Sequence, residues 1–217
     1  VIYNLSERHC FMVWGLFHEI GRKIIHITIL VALGIYFLIQ RYLIDKGYAS
    51  QLAKQVSLLF LMALLIFFLI LEYLRLELNW KMPFFSQFIR PKEQNRMYGV
   101  VYFLSATIIS LAVFDYRIAL AALLMTTFGD MTAALVGKKF GTTLIYRNKT
   151  WAGFLAELAV NFIVGLFVLV NIPAYVYIVI GMAFTATIVE TLVDELDDNL
   201  IIPIFSGFIG QIILFSL

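Results

Sequence analysis

The sequence has 217 residues, of which 62% are hydrophobic and 14% charged, and its formal net charge is +2. Soluble domains contain roughly 45–50% apolar residues, so this composition excludes an ordinary water-soluble domain, and so small a net charge gives no reason to expect nucleic-acid binding. A single cysteine, Cys10, excludes an internal disulfide framework and a multi-cysteine metal site. No linker interrupts the apolar stretches, so we expect one integral membrane domain over residues 1–217.

Seven apolar stretches follow one another along the chain. A helix needs about 20 apolar residues to cross the hydrocarbon core of a bilayer, with ~17 as the lower limit. Because a helix satisfies its own backbone hydrogen bonds in lipid, we predict an all-α polytopic bundle of about seven transmembrane helices. The predicted spans are 24–39, 56–71, 99–114, 118–136, 154–170, 175–189 and 200–217.

Residues 1–23 precede the first span and lack the small-residue cleavage site of a secretory signal. We expect them to stay on the mature protein, at the interface or in the cytoplasm. The apolar stretch 11–17 within them is too short to cross the membrane.

Positive charge is unevenly divided between the two sets of connections that seven spans create. Twelve of the 16 lysines and arginines fall before the first span or in the even-numbered loops, and four fall in the odd-numbered loops. Because cytoplasmic loops carry an excess of Lys and Arg, we expect the N-terminus and the even-numbered loops in the cytoplasm. The C-terminus is then expected on the opposite side.

The first polar cluster leads into the first span. Glu19, Arg22 or Lys23, and His26 are three or four residues apart, so a helix would place them on one face. A basic anchor at the membrane surface would explain most of this stripe. His26, however, lies inside an apolar stretch, where ionisable residues are costly and usually functional.

Two further ion pairs are spaced i, i+3. Glu72 and Arg75 end the second span, and Arg90 and Glu93 lie in the loop that follows. Such pairs are common at helix ends for local stability alone, so their spacing is equally consistent with a structural and a functional role.

The most specific cluster surrounds Asp130. This carboxylate lies well inside the fourth span, and an unpaired charge there requires a cation, either a neighbouring Lys or Arg or a bound metal ion. Mg²⁺ typically takes one or two carboxylates together with substrate phosphates. The same helix carries small residues that permit close helix packing, namely Gly129, Ala133, Ala134 and Gly137.

Basic residues and glycines follow this span. Lys138, Gly141, Lys149 and Thr150 offer ammonium groups and backbone N–H groups in a glycine-containing loop, which suits phosphate oxygens. The order of residues differs from that of a P-loop. A close-packed helix with a structural Asp–Lys pair is the plainer alternative.

An acidic cluster follows the sixth span. If that helix continues, Glu190, Asp194 and Asp197 or Asp198 fall on one face, just before Asn199. Like charges so placed repel one another, and this loop has no Lys or Arg of its own. A solvated acidic loop is one explanation, and a divalent metal or cations from other loops are another.

Taken in chain order, these clusters resemble the polyprenol, dolichol and phytol kinases and the CTP-dependent diacylglycerol kinases, which are relatives of the CDP-diacylglycerol synthases. The resemblance extends from residue 19 to residue 203 and depends on several short motifs in the same order. These are Glu19-x-x-Arg22-Lys23-x-x-His26, Glu72-x-x-Arg75, Arg90-x-x-Glu93, Gly129-Asp130-x-x-Ala133-Ala134, Gly137-Lys138-x-x-Gly141, Lys149-Thr150 and Glu190 through Asp198-Asn199-Leu200-x-x-Pro203.

One position departs from the pattern of that family. The family sequence around the lysine usually reads Lys-Thr-x-Glu-Gly, whereas this chain has Ala152 at the position of the glutamate. A metal ligand or a loop-ordering carboxylate is therefore missing there. Glu157 lies one helical turn further on and is a candidate to replace it.

The resemblance implies transfer of the terminal phosphoryl group of a nucleoside triphosphate, expected to be CTP, to the hydroxyl of a polyprenol-type or diacylglycerol-type membrane lipid alcohol. It also implies Mg²⁺ or another divalent cation. The site residues implied are Asp130, His26 and Glu72 as catalytic groups; Arg22, Lys23, Arg75, Arg90, Gly137, Lys138, Gly141, Lys149 and Thr150 for the nucleotide; Asp130, Glu190 and Asp198 for the metal; and Glu19, Glu93 and Asn199 as orienting groups.

Two other functions remain as alternatives. A cytidylyltransferase would use similar groups to form a CDP-activated lipid. A transporter would use buried charges as an ion pathway, but transporters usually show internal repeats with broken helices, and none is visible in the sequence. The small-residue faces at Gly129–Gly137 and Gly207-x-x-Gly210 would also permit a homo-oligomer.

Overall fold

The computed structural model describes residues 29–78, 97–147, 149–193 and 197–216. Within these ranges the chain forms seven helices and one short hairpin, so the predicted all-α membrane bundle is confirmed. The helices are α1 (29–45), α2 (Ser50–Glu77), α3 (Gly99–Val113), α4 (Tyr116–Phe140), α5 (Trp151–Leu169), α6 (Tyr175–Leu192) and α7 (Asp198–Ser216), and the strands are β1 (Leu144–Tyr146) and β2 (Lys149–Thr150).

Five of the helices, α2 and α4 to α7, are long and apolar enough to cross a membrane. Helix α3 is apolar throughout but has 15 residues, which corresponds to about 22 Å at ~1.5 Å per residue. It is therefore shorter than the typical hydrocarbon core of roughly 30 Å.

Short connections join α1 to α2, α3 to α4, α5 to α6 and α6 to α7, so each of these pairs runs antiparallel. The turn between α1 and α2 contains Gly47, whose positive φ of 87° suits a residue without a Cβ. At the other end of α2, the Glu72 carboxylate accepts a hydrogen bond from the backbone N–H of Tyr98, which precedes α3. Helices α2, α4 and α6 thus finish, and α3, α5 and α7 begin, at one end of the bundle, which we call the site end.

Helix α4 lies at the centre of the bundle. It contacts α3, α5, α6 and α7, and it is the most deeply buried of the five spans. The apolar core around it includes the buried side chains of Phe103, Ile118 and Met182. Helix α2 is the most apolar span and the least buried, and it contacts α3.

The small residues of α4 face α5, as predicted. A Cβ on Gly129 would lie 2.5 Å from Asn161 Oδ1, and a Cβ on Gly153 would lie 2.9 Å from the carbonyl oxygen of Ala133. A Cβ on Gly137 would lie 3.1 Å from the hydroxyl of Thr150. The missing side chains let the two helices approach closely, as small residues do at helix interfaces in membranes.

Both small-residue faces that would permit oligomerisation are used inside this chain. The Gly129–Gly137 face packs on α5. A Cβ on Gly207 would meet the ring of Phe114 at 2.5 Å, and one on Gly210 would meet Met182 Sδ at the same distance. These glycines therefore serve intramolecular packing, and the homo-oligomer stays a prediction.

The connection between α4 and α5 is more ordered than the predicted loop. Strands β1 and β2 pair antiparallel, with Leu144 opposite Thr150 and Tyr146 opposite Lys149. Arg147 has a positive φ of 48° in the turn. The hairpin fixes Lys149 directly before the first turn of α5.

Helix α6 stops before the acidic residues that follow it. Its last residue is Leu192, and Val193 has an extended backbone with φ −91° and ψ 122°. The expectation that Glu190 and Asp197 or Asp198 share one continuous helical face is therefore wrong. Asp194 lies outside the described residues.

Candidate functional site

An ion pair joins the hairpin to α6 at the site end. Lys149 Nζ on β2 pairs with Glu190 Oε1 near the end of α6. The Glu190 side chain is 4% exposed and that of Lys149 is 32% exposed. The pair therefore places the carboxylate inside the bundle and the ammonium at its edge.

A second carboxyl group, that of Glu157 on α5, lies beside this pair. Glu157 is 1% exposed, and its carboxyl group lies next to that of Glu190 and near the ammonium of Lys149. Three elements, β2, α5 and α6, thus bring two carboxyl groups and one lysine together. The group is buried at the site end of the bundle.

Asn161, one turn further along α5, extends the polar group into the bundle. Its Nδ2 donates to the hydroxyl of Thr187 at 3.0 Å and lies 3.4 Å from Glu157 Oε1. The Thr187 hydroxyl donates its own proton to the carbonyl of Ala183, so it can only accept from Asn161. This arrangement fixes the amide orientation and turns Asn161 Oδ1 toward Gly129 on α4.

Two buried acceptor oxygens in this group are left without a donor. Among the described residues, no hydrogen-bond donor reaches Glu157 Oε2 or Asn161 Oδ1. Buried polar atoms are nearly always satisfied, and a buried carboxylate oxygen is especially costly to leave without a partner. Both atoms belong to side chains of α5 that pack against Gly129 of α4.

Asp130 lies at the same depth of the bundle. It directly follows Gly129, whose Cα faces Glu157 and Asn161, and it is 7% exposed. The prediction that Asp130 is buried within the fourth span is confirmed. Lys138, two turns later, is exposed near the end of α4.

A separate polar cluster holds α2 to α3. Both oxygens of Glu72 are engaged, since Arg75 donates to Oε1 at 3.1 Å and to Oε2 at 2.6 Å, and Tyr98 N–H also donates to Oε2. The bidentate pair is buried, with the side chains 8–9% exposed. These contacts favour a role for Glu72 in positioning Arg75 and the start of α3 over one as a base.

The structure gives packing or capping contacts to three predicted phosphate ligands. Gly137 lies inside α4 rather than in a loop, and the N–H of Gly141 donates to the Gly137 carbonyl at 3.0 Å. The Thr150 hydroxyl accepts from Gly153 N–H and caps α5. The backbone donors proposed for phosphate at the two glycines are thus already used within the helix.

Asp198 and Asn199 are the first two residues of α7 and therefore lie at the site end. Asn199 is buried, and its side-chain amide donates to Asp197 Oδ1 at 2.7 Å. Its backbone N–H lies 2.9 Å from Asp198 Oδ1. Asn199 therefore orders this acidic turn, consistent with its predicted orienting role.

The described residues bring Lys149, Glu190 and Glu157 together and hold Glu72 with Arg75 in a second cluster. Sequence reasoning missed Asn161 and Thr187. The signal was available, because an asparagine in an apolar helix, four residues after a glutamate, lies on the same face. Six predicted site residues lie outside the described residues, namely Glu19, Arg22, Lys23, His26, Arg90 and Glu93.

A complete metal site made of acidic, histidine or cysteine side chains alone is not found in the described ranges, since no three such residues come together there. The chain offers buried carboxylates at Asp130, Glu157 and Glu190.

Comparison with known families now adds a second line of evidence. The model of the cytidylyltransferase family matches residues 8–196, a range that includes Asp130, the Glu72–Arg75 cluster and the group of Lys149, Glu157 and Glu190 and ends just before the acidic turn at Asp197. The chain belongs to the cytidylyltransferase family.

Individual proteins that are similar in sequence to this chain are named as lipid kinases. A CTP-dependent diacylglycerol kinase 1 of Saccharomyces cerevisiae is 32% identical over 172 residues, covering 74% of this chain and 54% of the relative. One of Schizosaccharomyces pombe is 28% identical over 239 residues, covering 97% and 100%. The chloroplastic phytol kinase 1 of Arabidopsis thaliana is 32% identical over 123 residues, covering 49% and 40%.

The chain thus spans about half the length of the first of these relatives and the whole length of the second. No solved structure matches this family member.

Proposed function

We propose that this chain is a CTP-dependent lipid kinase, which transfers the terminal phosphoryl group of CTP to the hydroxyl of a membrane lipid alcohol. The observation that carries the proposal is the buried group of Lys149, Glu190 and Glu157 at the site end, with Asp130 at the same depth. The names of the relatives point to the same nucleotide and to a lipid acceptor.

Phosphoryl transfer makes modest demands that these residues meet. The lipid hydroxyl oxygen bonds to the terminal phosphorus, the bond to the bridging oxygen breaks, and CDP leaves with that oxygen. The transition state is loose, so the protein contributes mainly positioning and charge stabilisation. We assign Lys149 and Lys138, with Arg22 and Lys23, to the phosphate oxygens.

Mg²⁺ is the cation that fits this donor set best, because oxygen ligands are what it prefers. When bound, it neutralises charge on the phosphates. We assign Asp130 and Glu190, with Asp198, to hold it. The hydroxyl proton passes to Asp130 or to His26, and a loose transition state makes the choice of base less critical.

Replacing Asp130 tests the assignment. Asp130→Asn keeps the size of the side chain and removes its charge, so we expect lipid phosphorylation in nanodiscs to fall at least a hundredfold, as measured with terminally labelled CTP. Asp45→Asn, on an exposed residue at the opposite end, is the matched control. Full activity in the Asp130 variant would overturn the assignment.

A second reaction to be distinguished is transfer of a cytidylyl group to a phosphorylated lipid, the activity after which the family is named. CTP labelled at the terminal or at the innermost phosphate separates the two reactions. A kinase moves only the terminal label into lipid, and a cytidylyltransferase moves only the innermost one. Diacylglycerol and a polyprenol, offered side by side, identify the acceptor.

A further inference from the structure

Four large apolar side chains are exposed on and beside the β1–β2 hairpin at the site end. Phe140 ends α4, Leu144 and Tyr146 lie on β1, and Trp151 begins α5. Each of these side chains is between 40% and 62% exposed. Exposed apolar groups of this kind mark surfaces that meet a membrane or another protein.

The length of α5 indicates where the hairpin lies relative to the bilayer. Helix α5 starts at Trp151, directly after β2, and its 19 residues correspond to about 28 Å. Because the hydrocarbon core is roughly 30 Å thick, the start of α5 lies where the core meets the headgroups. Strand β1 has three residues and reaches no more than about 10 Å beyond this level. The hairpin therefore lies at the headgroup layer, where tyrosine and tryptophan are enriched in membrane proteins.

The same stretch of chain is basic. Residues 131–156 contain four Lys or Arg residues and no Asp or Glu. Two of the four, Lys139 and Arg147, are exposed and have no role in the proposed transfer reaction. Lys139 Nζ lies 5.2 Å from the ring centre of Phe140, and Arg147 Cζ lies 5.3 Å from that of Tyr146. Each cation thus lies at the level of an exposed aromatic ring.

We propose that these residues form a surface that binds the anionic phospholipid headgroups of the leaflet at the site end. We call it the hairpin surface, and it consists of Lys139, Phe140, Leu144, Tyr146, Arg147 and Trp151. The apolar side chains enter the edge of the leaflet, and the two cations contact headgroup phosphates, a combination typical of segments that bind anionic membranes. A nucleotide would use the charges but not the apolar side chains. The binding does not depend on whether the chain is a kinase.

The test uses the full chain in nanodiscs and electron paramagnetic resonance of spin-labelled lipids, because a lipid held by the protein gives a broadened spectrum. We expect the wild-type chain to hold phosphatidylglycerol in preference to phosphatidylcholine. Lys139→Gln together with Arg147→Gln should lower this preference by roughly twofold or more. Leu144→Asn should also lower it, although every charge stays in place.

A matched control lies at the opposite end of the bundle. Lys46 Nζ also lies over an aromatic ring, that of Tyr42 at 5.7 Å, but Asp45 precedes it in the chain. Because this carboxylate repels anionic headgroups, Lys46→Gln should change the lipid preference less than Lys139→Gln does. Equal effects of the two substitutions would show that any exposed lysine suffices, and they would overturn the proposal.

Three other results would also overturn it. The first is the absence of any preference for phosphatidylglycerol in the wild-type chain at low salt, where exposed charges are least screened; this measurement needs no variant. The second is loss of the preference on adding CTP, with a raised KM for CTP in the Lys139 and Arg147 variants, which would assign both cations to the nucleotide. The third is a smaller particle mass for Leu144→Asn in detergent with an unchanged lipid preference, which would assign the surface to a second copy of the chain.

Discussion

At the scale of single residues, the pair of Lys149 and Glu190 is asymmetric. The carboxylate is almost fully buried, and the ammonium lies a third exposed at the edge of the bundle. Removing one partner of a buried pair is costly because the other charge stays behind without compensation. The cost should therefore depend on which partner is removed.

We expect Lys149→Met to destabilise the protein by about 3 kcal/mol, because Glu190 then lies beside Glu157 with no cation. Glu190→Gln should cost less, since the freed ammonium can reach water. The double variant should recover stability without recovering activity. Thermal unfolding midpoints in detergent and lipid phosphorylation in nanodiscs measure both effects, and equal losses in the two single variants would refute the asymmetry.

The sequence identified most single charges of the site but not their partners. Asp130 stands out because ionisable residues are rare in apolar helices, and Lys149 and Glu190 stand out in the charged segments that follow the fourth and the sixth predicted span. The pairing of Lys149 with Glu190 could not be predicted from the sequence, because 41 positions separate the two residues and the β1–β2 hairpin sets the position of the lysine. Asn161 was missed because an uncharged residue gives a weaker signal in an apolar helix.

At the scale of elements, the α4–α5 interface depends on residues that lack side chains. Spacing predicted the small face of α4, and the structure shows which helix it meets. Sequence alone does not name the partner, because Gly207 and Gly210 on α7 present a similar pattern and pack elsewhere.

Gly129→Ala should destabilise the protein by about 1–3 kcal/mol, the usual cost of overpacking, because the new Cβ would lie 2.5 Å from Asn161 Oδ1. Gly34→Ala in α1 is the matched control, since a Cβ there meets nothing within 4 Å. Adding Asn161→Ala should restore the thermal unfolding midpoint of the Gly129 variant. An unchanged midpoint in Gly129→Ala alone would contradict the close approach.

Helix α2 has a buried polar attachment to α3 at its site end, in addition to the buried residues Ala53, Ser57 and Leu61 in its first half. Because Glu72 holds both Arg75 and the Tyr98 N–H, we expect Glu72→Ala to speed hydrogen exchange at the first turn of α3 while exchange in α5 is unchanged. Glu77→Ala, on an exposed carboxylate of the same helix, should have no effect. Equal exchange in both variants would show that apolar packing alone holds α2.

At the scale of the whole molecule, hydropathy alone predicted the order of the helices that the described ranges contain, and five of those helices are long and apolar enough to cross a membrane. Their predicted ends differ from the observed ones by several residues, most clearly in α2 and α4, because polar residues such as Lys138 continue the helices beyond the apolar stretch. The hairpin was not predictable, since two strands of three and two residues have no periodicity of their own.

The excess of Lys and Arg at the site end predicts its orientation in the membrane. In a Cys10→Ser background, a cysteine at Thr142 should react with a membrane-impermeant maleimide only after permeabilisation of the cells. A cysteine at Asn171, in the connection between α5 and α6, should react with intact cells. The reverse pattern would place the site end outside.

The distribution of burial also bears on how the chain enters the bilayer. Helix α2, the most apolar span, lies at the edge of the bundle, whereas the less apolar α4 lies at its centre and carries Asp130. A carboxylate midway along an isolated helix costs about 2.5–3.5 kcal/mol to insert. Because the main partners of α4, α5 and α7, are translated after it, we expect α4 to reach its final depth only when α5 and α7 emerge, so that insertion and assembly of this region proceed together.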